Sequence, residues 1–279
     1  MKNKFFAFLN FILRSNLYIA VCAYFFTQFC LSSFQLSQLD SLSRYPHFVG
    51  ICVFFVYGLQ RIVESKNHSP NGDKNKYKWY QQHFLIMVFL IVIAFVSLLL
   101  VFNHLLSQSF WIILPPFIVS LLYFVGPKPL KALNFGKGFV IGITWSYVCV
   151  LLPCVVSGHQ LLISDVLLTA ISVFFFVSAI CIPFDIRDAE VDRFKNIRSL
   201  PVLLGQTISK IIAVCLLLLS VVIECFQSGH EAQLLSLIFT AAAAVPVIIF
   251  SFPGNHPFYF SLLTDGLLLL PIIFMQVFS

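Results

Sequence analysis

The chain has 279 residues, of which 59% are hydrophobic, 10% are charged and 33 are phenylalanine, and its mean hydropathy is +0.95. An ordinary soluble domain carries roughly a quarter charged residues, so a soluble globular protein is excluded. The formal charge of +6 does not point to nucleic acid, because every basic cluster sits between apolar stretches and not on one water-facing surface.

Lys2 and Lys4 precede a Phe-rich run that Arg14 interrupts, and no small-residue cleavage site follows. Residues 4–13 therefore read as an interfacial helix and not as a cleaved signal peptide. Nine apolar stretches come next, at about 16–36, 46–64, 84–102, 108–126, 138–158, 163–184, 207–227, 234–251 and 258–278. Each approaches the roughly 20 residues a helix needs to cross a bilayer at about 1.5 Å per residue. The expected fold class is all-α: a polytopic membrane protein, one domain over residues 1–279, folded as a single bundle of nine transmembrane helices.

Alternating the connections between two sides places 16 of the 17 basic residues on one side and only Arg44 on the other. The positive-inside bias makes the basic side cytoplasmic. The N-terminus and the long connections at about 65–83, 127–137 and 185–206 are expected there, a pattern that suits a bacterial inner membrane. The run from Ser65 to Tyr77, turning at Pro70, Asn71 and Gly72, reads as a solvated loop. The eight cysteines lie in or beside apolar stretches without metal-ligand spacing and are expected to be packing residues. His104, His159 and His230 fall in short outer connections and read as surface residues, while His68 and His83 flank the basic loop.

The most informative stretch, Pro183 to Gly205, directly follows the sixth apolar segment. Four of the eleven acids fall within eight residues, and Asp185, Asp188 and Asp192 stand at i, i+3 and i+7. On a helix that continues out of the membrane, this spacing lines them along one face. Three carboxylates on one face repel unless a cation sits among them, and hard oxygen donors with a diphosphate are what Mg²⁺ prefers. Arg187, Arg193, Lys195 and Arg198 are close in sequence and suited to phosphate oxygens. The alternative is a solvated loop whose acids and bases neutralise one another.

The run Asp185-Ile-Arg-Asp-Ala-Glu-Val-Asp-Arg193, with Ser199-Leu-Pro-Val-Leu-Leu-Gly205 after it, resembles the second aspartate-rich motif of the UbiA-type intramembrane prenyltransferase superfamily. The nine-span count and the motif's position after the sixth span agree with that resemblance over essentially the whole chain. It implies Mg²⁺ held by two aspartate-rich motifs, a prenyl diphosphate as substrate, and transfer of the prenyl group to a lipophilic, aromatic or other acceptor within the bilayer. Asp185, Asp188 and Asp192 are then the catalytic metal ligands. The family's first motif should end the second span, where this chain has Tyr57, Gln60 and Glu64 at the same i, i+3, i+7 spacing. Two of three expected carboxylates are missing. A carbonyl oxygen and a hydroxyl remain, but not the charge that retains a second divalent ion, so one Mg²⁺ or a changed substrate is implied. Arg61 is placed to compensate by contacting diphosphate, and Lys74, Lys76 and Lys78 follow on the next loop. Phe184, where the family commonly has Asn, and Asn196, where it commonly has Gly, are smaller departures.

The segment from Tyr123 to Lys137 resembles the family's Tyr-x-x-Pro-x-x-Lys connection. Lys128 and Lys131 are its expected phosphate contacts, against the alternative that they only obey the positive-inside rule. Asp265, about seven residues into the ninth apolar stretch, is expected either to face the cavity or to be neutral and hydrogen-bonded. Tyr57, Trp145 and Tyr147 are candidates to stabilise positive charge through their π faces. The expected function is a Mg²⁺-dependent membrane prenyltransferase. The alternatives are a non-catalytic relative that binds a polyprenyl diphosphate or other anionic lipid, and, more distantly, a transporter.

Overall fold

A computed structural model describes residues 2–66, 74–105, 110–124, 130, 136–158, 161–227 and 231–279. Among them the regular structure is entirely helical. Helix α1 (Lys2–Arg14) leads into α2 (Leu17–Ser33). There follow α3 (Tyr45–Lys66), α4 (Lys74–Gln82), α5 (Phe84–Leu105), α6 (Phe110–Phe124), α7 (Gly136–Ser146) and α8 (Leu152–Ser157). The chain closes with α9 (Ile163–Phe194), α10 (Leu200–Glu224), α11 (Glu231–Ile249) and α12 (Leu270–Phe278).

Among the described residues six helical segments are long and apolar enough to cross a membrane: 40–63, 84–101, 137–157, 163–194, 200–224 and 231–249. A seventh arises if α1 and α2, bent by 65°, count as one span. The described parts of the other expected spans are helical but shorter or broken. Helix α6 carries Pro115 and Pro116 inside its 15 residues. The last apolar stretch is a π-helical run, Tyr259–Thr264, followed by turns and then α12.

Helix α9 is the axis of the bundle, with Phe176, Ala179, Ile182 and Ile186 all buried. Its 32 residues span roughly 48 Å at the standard rise, well beyond a hydrocarbon core of about 30 Å. A helix of that length has turns to spare beyond the apolar layer, and Asp185, Asp188 and Asp192 fall in its last turns. Helix α7 packs closely on α9 because a Cβ on Gly138 would lie 3.3 Å from Cys181 Cβ, and one on Gly142 would collide with Ser178 Oγ and the Phe174 carbonyl. Helix α5, by contrast, turns Leu85, Phe89 and Leu100 outward, the pattern of a lipid-facing helix.

Polar groups inside the bundle are paired where backbone geometry frees a carbonyl. Pro116 has no N–H to donate to the Ile112 carbonyl one turn earlier, and the Tyr147 hydroxyl donates to that oxygen at 2.9 Å. In the π-helical run Tyr147–Leu151, the Val148 carbonyl accepts the buried Tyr45 hydroxyl at 2.6 Å. The bend between α1 and α2 is fixed at Asn16, which has φ 66° and donates to Tyr80 Oη at 3.0 Å. Tyr80 in turn donates to the Arg14 carbonyl at 2.8 Å. With Phe11 set edge-on to Trp79, α1 is pinned against α4 and across the line of α2. Of the eight cysteines Cys22, Cys30, Cys149 and Cys154 are buried, and none is in a disulfide.

Candidate functional site

One cavity of about 850 Å³ opens between α2, α3, α7, α9 and the segment after α11. Apolar side chains such as Val53, Val148 and Ile180 form one part of its wall, and ionisable groups form another. Arg14, Arg61, Lys137 and Arg187, from four separate basic segments, all reach it. So does the connection at Pro253–Phe258.

On α9 the three aspartates converge as their spacing predicts, with Asp185 and Asp192 only 5% and 4% exposed. Their common focus is the ammonium of Lys137, in the first turn of α7. Lys137 Nζ lies 3.4 Å from Asp185 Oδ1, 3.7 Å from Asp188 Oδ2 and 3.3 Å from Asp192 Oδ2. The glycine contacts between α7 and α9 set this approach. Arg187 donates from Nε and Nη2 to the two Asp188 oxygens at 2.7 and 3.0 Å, a bidentate geometry. Its guanidinium carbon also lies 5.1 Å from the Phe184 ring centroid and 5.2 Å from that of Phe260. Phe184, a departure from the family pattern, thus gives Arg187 a π face.

The end of α9 is equally defined. Ile197 N–H donates to the Asp192 carbonyl at 2.8 Å, and Asn196 takes φ 54° between them. This is a Schellman-type stop with buried Ile197 as its apolar contact. The position needs a left-handed residue, and Asn is the side chain that tolerates it best after Gly. Gly205, at φ 81° and ψ 167°, breaks the start of α10 where no other residue fits comfortably.

Tyr57, Gln60 and Arg61 of α3 are half-buried and line the same cavity as the aspartate triad. The Glu64 side chain, Lys128 and Lys131 lie outside the described residues. Arg193 is exposed and is not among the described cavity-lining residues, whereas Lys195 is. Asp265 lines the cavity. Trp145 also lines it, while Tyr147 spends its hydroxyl on Ile112. Lys137 is the residue that sequence reasoning missed as a partner of the triad. It reads as one more juxtamembrane lysine, and only the Gly-x-x-x-Gly spacing of Gly138 and Gly142 hints that its helix approaches another closely.

The triad's hard carboxylate oxygens and its opening on the cavity fit Mg²⁺ in donor type. With Lys137 at the focus, however, the described residues hold no group of three His, Cys, Asp or Glu spaced to ligate a metal directly.

A bundle of apolar helices around a cavity whose wall is apolar in one part and ionisable in another defines an integral membrane protein. The model of the UbiA prenyltransferase family matches residues 80–264, roughly two thirds of the chain, and the chain belongs to that family. The match begins after the degenerate motif on α3 and takes in α7 and the aspartates of α9. No curated protein and no solved structure matches the chain significantly.

Proposed function

We propose that this chain is a membrane-embedded prenyltransferase that moves an isoprenyl group from a prenyl diphosphate to a lipophilic, aromatic acceptor in a Mg²⁺-dependent reaction. The observation that carries the reading is a single cavity with three convergent aspartates at one part of its wall and apolar side chains along the rest. The placement of Arg14, Arg61, Lys137 and Arg187 on one cavity supports a bundle of nine crossings with that end cytoplasmic.

Asp185, Asp188 and Asp192 would hold the Mg²⁺, which supplies charge neutralisation of the diphosphate leaving group. Arg61 and Arg187 face the same space and donate to phosphate oxygens. Lys128, Lys131 and Arg193 add to the basic charge of the cytoplasmic segments, which draws the anion to that side. As the allylic C–O bond breaks, its electron pair leaves with the diphosphate. The apolar wall excludes water that would otherwise capture the cation, and Tyr57 and Trp145 offer π faces to it. An acceptor carbon supplies the new bond and then loses a proton. Asp265 is the described carboxylate on the cavity wall outside the triad, and we assign it that proton.

A second reading, a relative that binds a polyprenyl diphosphate or other anionic lipid without transferring it, is favoured by the neutral Tyr57 and Gln60 and by the ammonium at the triad's focus. Purified protein given a panel of prenyl diphosphates and a membrane-lipid extract, with and without Mg²⁺, separates the two. Mg²⁺-dependent diphosphate release and a prenylated product by mass spectrometry, both lost in Asp188→Asn, are expected. Binding without release above that variant would replace the transferase with the binder.

A further inference from the structure

We infer that Lys137 is a tethered cation that occupies the triad's focus in the substrate-free protein and keeps free divalent ions out until a diphosphate arrives. The inference rests on the reading of the three aspartates as a cation and diphosphate site.

Three observations support it. Lys137 Nζ is within 3.3 to 3.7 Å of all three carboxylates, so it stands where a shared divalent ion would feel the most negative potential. Its side chain is 16% exposed and those of Asp185 and Asp192 are 7% and 6% exposed. Solvent therefore does little to screen the group, and the carboxylates would repel one another without a counter-ion. Finally, an ammonium in the first turn of α7 opposes that helix's own dipole. The cost is offset by the acids across the gap, and α7 is held at that gap by Gly138 and Gly142.

With Lys137 and Arg187 in place, the three carboxylates carry a net charge of about one negative, too little to hold a free divalent ion tightly. The neutral Tyr57 and Gln60 on α3 add none. A diphosphate brings the missing negative charge, so the ion enters with the substrate. The ammonium then has phosphate oxygens to turn to, as a flexible stem with three donors allows.

The test is Mn²⁺ binding, followed by electron paramagnetic resonance, to the full chain in nanodiscs of zwitterionic lipid. Wild type is expected to bind Mn²⁺ weakly alone and at least tenfold more tightly with inorganic pyrophosphate. Lys137→Gln and Lys137→Met, the second keeping the aliphatic stem, are expected to bind Mn²⁺ at least tenfold more tightly than wild type without pyrophosphate. Adding Asp188→Asn to either should abolish the gain. A merely structural lysine would not raise metal affinity when removed. Unchanged or weaker binding in both variants would overturn the inference, as would wild type binding Mn²⁺ alone as tightly as they do. If the variants fold poorly, their melting temperature should rise with Mn²⁺ while that of wild type does not, and equal responses would also overturn it. This readout needs no prenyl transfer. A gain in Mn²⁺ affinity beside failed diphosphate release would remove the transferase and leave the role of Lys137 standing.

Discussion

Two helices bring residues at i and i+3 to one cavity, yet α3 offers Tyr57 and Gln60 where α9 offers Asp185 and Asp188. The carboxylates of α9 are mutually repulsive and, at Asp185 and Asp192, buried. They have gathered Lys137 from α7 and the guanidinium of Arg187 around them. On α3 the half-buried Tyr57 and Gln60 are neutral and stand beside Arg61, so the described part of that wall brings no carboxylate that calls for a cation. The demand for positive charge is thus concentrated on one helix. Cation chemistry in this protein should respond steeply to changes on α9 and gently to changes on α3.

The sharpest test of that asymmetry is Asp185→Asn against Gln60→Ala. Replacing Asp185 keeps the side-chain volume and removes a buried charge 3.4 Å from Lys137 Nζ. Prenyl transfer, measured as diphosphate release, is expected to fall at least a hundredfold, about 2.7 kcal/mol of lost transition-state stabilisation. Equal losses in Gln60→Ala would mean that α3 shares the cation work after all.

A second break separates the helices physically. Gly142→Leu places a side chain against Ser178 and the Phe174 backbone, so α7 must move off α9. Overpacking of this kind costs about 1–3 kcal/mol, and thermal unfolding in detergent should show it. Activity should drop with it, because Lys137 moves with α7. Gly158→Ala meets nothing within 4 Å but sits at φ 64°. Its cost should be about 1–2 kcal/mol of local strain, with transfer unchanged.

Much of this contrast was legible in the chain itself. The triad's common face follows from helical periodicity alone, while Tyr57 and Gln60 were singled out only through the family resemblance and line the same cavity. Lys137 was not, because whether one lysine among several juxtamembrane lysines meets the acids depends on how deeply α7 packs against α9. That is a long-range contact decided by two glycines 32 or more residues from their partners. The fold divides similarly. Apolar length located the helical segments, but not their local breaks: among the described residues six pass as full spans, α6 is described for 15 residues only, and the last apolar stretch is π-helical before Asp265 and turns after it. The partners of Arg187 were hidden too, since Phe184 and Phe260 are 76 positions apart and meet only when the last apolar stretch folds back on α9.

A reciprocal change on α3 would narrow the difference between the two faces. Gln60→Asp restores a carboxylate to the wall of the triad's cavity, and Mg²⁺ affinity in the presence of pyrophosphate is expected to rise several-fold by calorimetry. Gln60→Ala should lose less than tenfold in transfer, as befits a neutral oxygen donor among charged ones.

The smallest expected effect concerns how α9 ends. Asn196 holds φ 54° while Ile197 N–H bonds back to the Asp192 carbonyl. A residue without a Cβ meets that geometry at no steric cost, so Asn196→Gly should change stability by only a few tenths of a kcal/mol. Asn196→Ala keeps the Cβ in the left-handed region but loses the short polar side chain that can hydrogen-bond locally there, and should cost about 1 kcal/mol, seen as a lower melting temperature in detergent. The stop holds the backbone of Asp192, and Asp192 is one of the three ligands of the Lys137 ammonium. Loosening it should therefore also reduce transfer in the Ala variant while leaving the Gly variant near wild type. If both variants transfer at the wild-type rate although Ala is less stable, then the triad is positioned by α7 and Lys137 alone and not by the way its own helix terminates.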